Sequence, residues 1–139
     1  MSLGVILYQY LLFKRLLISG KSEILQNATL QKYLDNLKEK QLIICNAKFE
    51  RIEENTFENI SDLECLRLEN NLLDSIEINA FANLKCLKKL VLSFNQLSFI
   101  ENKLFESLSN LEELEITNNQ IKLIYPQVNI FSTFAGQKN

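Results

Sequence analysis

Residues 63–86 reappear 24 places later with the same apolar positions, and that self-similarity leaves the chain few folds to choose from. Leu63, Leu66, Leu68, Asn71, Leu73, Ile76, Phe81 and Leu84 fall on Leu87, Leu90, Leu92, Asn95, Leu97, Ile100, Phe105 and Leu108. A further shift reaches Leu111, Leu114, Ile116, Asn119, Ile121 and Ile124, then Asn129 and Ser132 where Phe and Leu are due. The reverse shift reaches Leu42, Ile44, Phe49, Ile52, Phe57 and Ile60, with Glu39 and Ala47 at the first Leu and the Asn positions. The register therefore runs from about residue 39 to residue 124. One step earlier it meets Arg15, Gly20, Glu23 and Asn36, so the repeat has ended there.

Alternation in Leu66-Arg67-Leu68 and Leu90-Val91-Leu92 predicts a short strand with one face turned inward. The rest of each repeat must return to the start of the next strand. Stacked copies then pair in parallel at about 4.8 Å per repeat. One repeat cannot bury its own apolar face, so neighbours have to cover it. An amide inside a buried run costs stability unless it is hydrogen-bonded. Where the chain leaves the strand, backbone N–H and C=O groups lose their ladder partners, and an amide can donate and accept at once. Asn71, Asn95 and Asn119 are therefore expected to form a structural ladder. Ala47 lacks the amide, so the first turn is expected to be looser or served by neighbouring Asn46. Phe57, Phe81 and Phe105 share one phase and are expected to stack as a spine on the convex side.

The pattern L-x-x-L-x-L-x-x-N-x-L-x-x-I-x-x-x-x-F-x-x-L resembles the leucine-rich repeat family in its 24-residue form. The resemblance implies an α/β repeat solenoid, a short arc of about four repeats at 39–62, 63–86, 87–110 and a degenerate 111–134. It further implies a parallel concave sheet, a mostly irregular convex side and a concave surface that binds proteins.

The ends depart from the repeat. Leu30, Tyr33, Leu34 and Leu37 lie at helical spacing behind Thr29, a candidate N-cap, so residues 21–38 are expected to form a helical N-terminal cap. The opening "MSLGVILYQYLLF" is too short to cross a membrane as a helix of about 20 residues. Residues 1–20 read either as a signal peptide or as an apolar N-terminal segment; Lys14 and Arg15 interrupt the stretch before Ser19-Gly20. Beyond Pro126, Val128, Ile130, Phe131 and Phe134 are expected to cover the last repeat, unless the next repeat is missing; residues 135–139 read as a tail. Asn27-Ala28-Thr29 and Asn59-Ile60-Ser61 are glycosylation sequons and lean towards secretion. Secreted members of the family usually close their ends with cysteine-bearing caps, and no such cluster precedes Leu42 or follows Ile124. Extracellular and cytoplasmic locations both stay open.

Composition removes several classes of function. The chain has no His, which excludes Ser-His-Asp and Cys-His catalysis and imidazole metal ligands. Gly4, Gly20 and Gly136 are scattered, so no phosphate loop or dinucleotide fingerprint can form. A net charge of -2 offers no basic footprint for nucleic acid. Cys45, Cys65 and Cys86 match neither zinc nor redox spacing and read as three free thiols. No catalytic residue, metal, cofactor or small-molecule substrate is expected.

Function is expected on the residues that project between the inward Leu side chains. The first row is Gln41, Cys65, Lys89 and Glu113, and the second Ile43, Arg67, Val91 and Glu115. Beyond the strand follow Cys45, Glu69, Ser93 and Thr117, then Asn46, Asn70, Phe94 and Asn118. Arg67, Lys89, Val91 and Phe94 are expected to centre a protein-binding patch, since interface hot spots favour aromatic and Arg residues. Glu112, Glu113 and Glu115 either steer a basic partner segment or blunt a terminal strand edge. Lys38 to Lys40 and Lys88-Lys89 read as solvated surface. The leading function is non-enzymatic protein–protein recognition by a monomer. The alternative is a structural or adhesion-type repeat protein, or a fragment, associating through uncapped ends.

Overall fold

A computed structural model of the chain describes residues 23–26 and 40–124. In chain order the elements are β1 (Glu23–Leu25), β2 (Gln41–Ile43), β3 (Phe49–Ile52), β4 (Cys65–Arg67), β5 (Ser75–Ile76), β6 (Lys89–Val91), β7 (Phe99–Ile100), a 3-10 turn (Asn102–Phe105), β8 (Glu113–Glu115) and β9 (Leu123–Ile124). They form a parallel-strand solenoid. The strands β2, β4, β6 and β8 make one sheet in that order, with Leu42, Leu66, Leu90 and Leu114 in register. Four such strands bound three full turns, and every step between them is the 24-residue period of the sequence.

Each strand is short because the chain bends soon after it. Asn46, Asn70, Phe94 and Asn118 all adopt positive φ, between 55° and 57°, at the same phase of successive turns. A left-handed residue there swings the backbone out of the sheet and aims the next residues inward. The backbone groups at the bend are buried, and asparagine satisfies them. The Nδ2 of Asn95 donates to the carbonyls of Leu92, at 3.0 Å, and Leu68, at 3.0 Å, while its Oδ1 accepts from the Leu73 N–H at 3.1 Å. Asn119 repeats the arrangement with Ile116, Leu92 and the N–H of Leu97. Each amide thus closes its own bend and clamps the bend of the preceding turn.

This direction of bonding corrects the expectation at Ala47. Asn46 does not serve the first bend; its side chain is exposed. Asn71 reaches back from the second turn instead, accepting from the Ala47 N–H at 3.0 Å and the Phe49 N–H at 3.4 Å and donating to the Ile44 carbonyl at 2.8 Å. The first turn needs no amide of its own, and Ala47 is buried.

Inside, the leucine positions form one continuous buried cluster from Leu25 to Ile116. The rings of Phe57, Phe81 and Phe105 stack through it, with centroids 5.8 Å and then 6.5 Å apart. The return side carries two further parallel ladders, β1-β3-β5 and β7-β9, and is more regular than expected.

The expected helix over residues 21–38 is corrected at its start. Glu23–Leu25 is extended and pairs in parallel with β3. An edge strand leaves backbone groups unpaired, and β1 supplies partners that a helix could not. The Leu25 carbonyl accepts from the Glu53 N–H at 3.2 Å and from Thr56 Oγ1 at 3.0 Å, and Leu25 is buried. Leu30, Tyr33, Leu34 and Leu37 lie outside the described residues, as do the apolar segment 1–20, Asn27 and the expected C-terminal cover of Val128, Ile130, Phe131 and Phe134.

Replacing Asn95 by Ala strands the Leu73 N–H, at about 1–3 kcal/mol for a buried unsatisfied group, while the Leu68 and Leu92 carbonyls keep their bonds from Asn71 and Asn119. We predict that Asn95→Ala lowers unfolding free energy in a urea titration by about 1–3 kcal/mol. A loss within about 0.5 kcal/mol, the range of ordinary surface substitutions, would contradict the bonding described.

Candidate functional site

Side chains on the outer face of the four-stranded sheet divide into a buried floor and an accessible set. Val91, Ser93 and Cys45 are floor: Val91 is 2% exposed and Ser93 4%. Ile43, Cys65, Arg67, Glu69, Lys89, Glu113 and Glu115 are half-buried, and Gln41 and Thr117 are exposed. Of the four residues expected to centre a patch, Arg67, Lys89 and Phe94 are accessible and Val91 lies beneath the surface.

The charges on this face pair among themselves. Arg67 Nε donates to Glu69 Oε2 at 3.0 Å and Nη2 to Oε1 at 2.5 Å, a two-pronged contact within one turn. Lys89 Nζ sits 2.8 Å from Glu113 Oε1 and 2.7 Å from Glu115 Oε1, bridging β6 to β8. The Lys89 contact holds the Glu115 carboxyl below its ordinary range. Thr117 Oγ1 donates to Ser93 Oγ at 3.1 Å. Beside the face runs a second charged row at the same period: Lys40 and Lys88 each contact Glu64, at 2.6 Å and 2.8 Å. Hydrogen bonds from Lys40 and then Lys88 pull the Glu64 carboxyl down to about 2. These lysines, which read as plain surface in the sequence, tie consecutive turns together.

None of these groups is poised for covalent chemistry. All three cysteines are free, and burial followed by the nearby Glu69 charge pushes the Cys45 thiol up to about 11. A thiol so protonated is a poor nucleophile at neutral pH. Among the described residues no cluster of His, Cys, Asp and Glu is placed to hold a metal ion, and no helix is long and apolar enough to cross a membrane. The sequon residue Asn59 is exposed just after Phe57, with its amide donating to Glu58 Oε1 at 3.4 Å.

Phe94 departs from its surroundings in two independent ways. It occupies the left-handed bend position at φ 56°, which the other three turns give to Asn. Asparagine tolerates that conformation, whereas a left-handed residue with a bulky side chain is strained by about 1–2 kcal/mol. No burial offsets the strain: Phe94 is 55% exposed, the most exposed large apolar side chain among the described residues. Its N–H donates to the Thr117 carbonyl at 3.0 Å, which ties its backbone to the last turn. The sequence carried a signal for this strain in the series Asn46, Asn70, Phe94 and Asn118, but the sign of φ had to be known before the exception meant anything.

A family model described as leucine rich repeat matches residues 40–97 and 86–129. The chain belongs to the leucine-rich repeat family. Domains of this family generally mediate protein–protein interaction and are typically non-enzymatic. In this leucine-rich repeat protein the matched residues include the whole four-stranded sheet, so the face described above is the family's repeat surface. A search of curated proteins finds no match to the chain.

Restoring the repeat's own choice at the exceptional position removes the strain. Phe94→Asn is expected to raise unfolding free energy by about 1 kcal/mol, from the left-handed penalty that Asn largely escapes. Urea denaturation reads this as a higher midpoint at unchanged slope. A lower midpoint would show that the Phe94 ring stabilises the fold.

Proposed function

We propose that this protein is a non-enzymatic recognition module that holds a protein partner against the four-stranded sheet, the face expected to be concave, with Phe94 as the principal contact. The observation that carries the reading is the retention of a strained, exposed aromatic where the repeat elsewhere uses Asn. Strain of this kind persists where it serves something other than stability, and a half-exposed ring gains its burial only when a partner covers it. Arg67 and Lys89 lie on the same face, Ile43 adds a half-buried apolar side chain, and Gln41, Glu69, Glu113, Glu115 and Thr117 supply the polar surroundings that interface rims favour. Val91 and Ser93 support these side chains from below. If the chain is secreted, a glycan on Asn59 sits in the turn that follows Phe57, away from the sheet strands.

The test begins with peptides selected from a displayed random library on the immobilised chain, each then measured in solution. Phe94→Ala and Arg67→Glu are expected each to weaken the selected binders by about tenfold or more, the loss typical when an interface anchor is removed. If both variants bind as the parent chain does, the sheet face is not the recognition surface.

A further inference from the structure

The return side of the solenoid is bonded from turn to turn, and the bonding opens at the middle step. From the first to the second turn the Asp74 N–H donates to the Glu50 carbonyl at 2.9 Å and the Glu77 N–H to the Ile52 carbonyl at 3.0 Å. From the third to the fourth the Lys122 N–H donates to the Ser98 carbonyl at 3.2 Å. The middle step keeps the first rung of this series, from the Gln96 N–H to the Leu73 carbonyl at 2.8 Å. Its next rungs would join the Ser98 N–H to the Asp74 carbonyl and the Glu101 N–H to the Ile76 carbonyl. Among the described residues neither bond is made, and β5 and β7 belong to separate ladders. A cavity of about 180 Å³ occupies the opening, with Asp74, Ile76, Leu97, Ile100, Glu101 and Leu104 in its lining.

The sequence carries a reason for the opening. The residues one place before the spine phenylalanines are Thr56, Ala80 and Leu104, and all three are buried. Leu104 is the bulky one, and it stands at the opening. The spine is wider at the same step, with Phe81 and Phe105 at 6.5 Å against 5.8 Å for Phe57 and Phe81. The opposite side is not parted: β4 pairs with β6 along its whole length, and Asn95 clamps the bend beside them.

We propose that Leu104 props the return side open and makes this step a flexing joint, about which the first two turns move against the last two, with the β4–β6 pairing as the hinge line. Closing the joint gains the missing hydrogen bonds and crowds Leu104. Opening it hands the freed backbone groups to water, because Asp74, Ser98 and Glu101 are exposed. The net gain from a hydrogen bond and the cost of overpacking are of the same order, so the two arrangements lie close in free energy. Curvature in a solenoid is the sum of small rotations between repeats. Arg67 lies on β4 and Lys89 on β6, so the joint adjusts the shape of the sheet face between them. The joint goes beyond the recognition reading and does not depend on it.

Methyl relaxation dispersion on the full chain reads motion on the μs–ms timescale of hinges. Ile76, Ile100 and Leu104 are expected to show exchange at one shared rate, and Ile52, inside the bonded first step, a flat profile. Flat profiles at all four, or the same exchange at Ile52, would overturn the joint, and these profiles decide on the parent chain alone. Two variants then test the prop. Leu104→Ala gives the third turn the residue of the second, and Leu104→Thr that of the first, where Thr56 Oγ1 donates to the Leu25 carbonyl of the preceding ladder strand at 3.0 Å. At position 104 the same hydroxyl contact would fall on the freed Ile76 carbonyl. Each variant that keeps a cooperative urea transition is expected to lose the exchange at Ile76 and Ile100. Hydrogen exchange of its Ser98 and Glu101 amides is expected to slow by about tenfold or more, as recovery of a hydrogen bond does. Exchange that persists in a folded variant, with the two amides unchanged, would show that Leu104 does not hold the joint open.

Discussion

A solenoid has no long-range chain crossing to hold its turns in register, so register must come from bonds between neighbours. Here the asparagine amide supplies it. Every bend breaks the sheet's hydrogen bonding at a buried point, and the amide of the next turn restores it by donating to one carbonyl 27 residues back and accepting from one N–H 22 residues back. The leucine core depends on this arrangement. Without it each turn could slide or loosen against the next at a cost of little apolar area, because leucine packs on leucine in any register. The lysine and glutamate contacts at Lys40, Glu64 and Lys88 reinforce the same spacing from the surface, where screening makes each of them worth less.

Seen from that clamp, the bend residue one place before each asparagine is also under constraint. It must be left-handed, which is why Asn46, Asn70 and Asn118 occupy it. Phe94 meets the same backbone requirement with the wrong side chain, and the ring is left exposed to solvent. A ring on a backbone held by the sheet loses less conformational entropy on contact than one on a mobile loop, so the strain and the exposure serve the same end. Stability and recognition compete at this position.

Side-chain identity at a fixed period made the four parallel strands, the leucine core, the phenylalanine spine and the three ladder asparagines legible before any coordinates. Those features depend on what each residue is, which a sequence records. Features that depend on direction or on neighbours outside the period were not legible. Ala47 looked like a gap because the sequence does not say that Asn71 reaches backwards. Glu23–Leu25 looked like the approach to a helix because its pairing partner, β3, lies 24 or more residues away and in a different phase. At the candidate site, Arg67, Lys89 and Phe94 were readable as outward positions, but the burial of Val91 and the closure of Arg67 on Glu69 follow from packing and rotamers, not from spacing.

Native-state hydrogen exchange on Asn71→Ala isolates the backward clamp, because Ala47 and Phe49 bond to that side chain from the preceding turn. The Ala47 and Phe49 amides are expected to exchange faster by about tenfold or more, the equivalent of one lost bond of roughly 1.4 kcal/mol, while the Leu97 amide keeps its protection. Unchanged exchange at Ala47 and Phe49, or equal acceleration across all turns, would contradict a ladder in which each asparagine holds the turn before it.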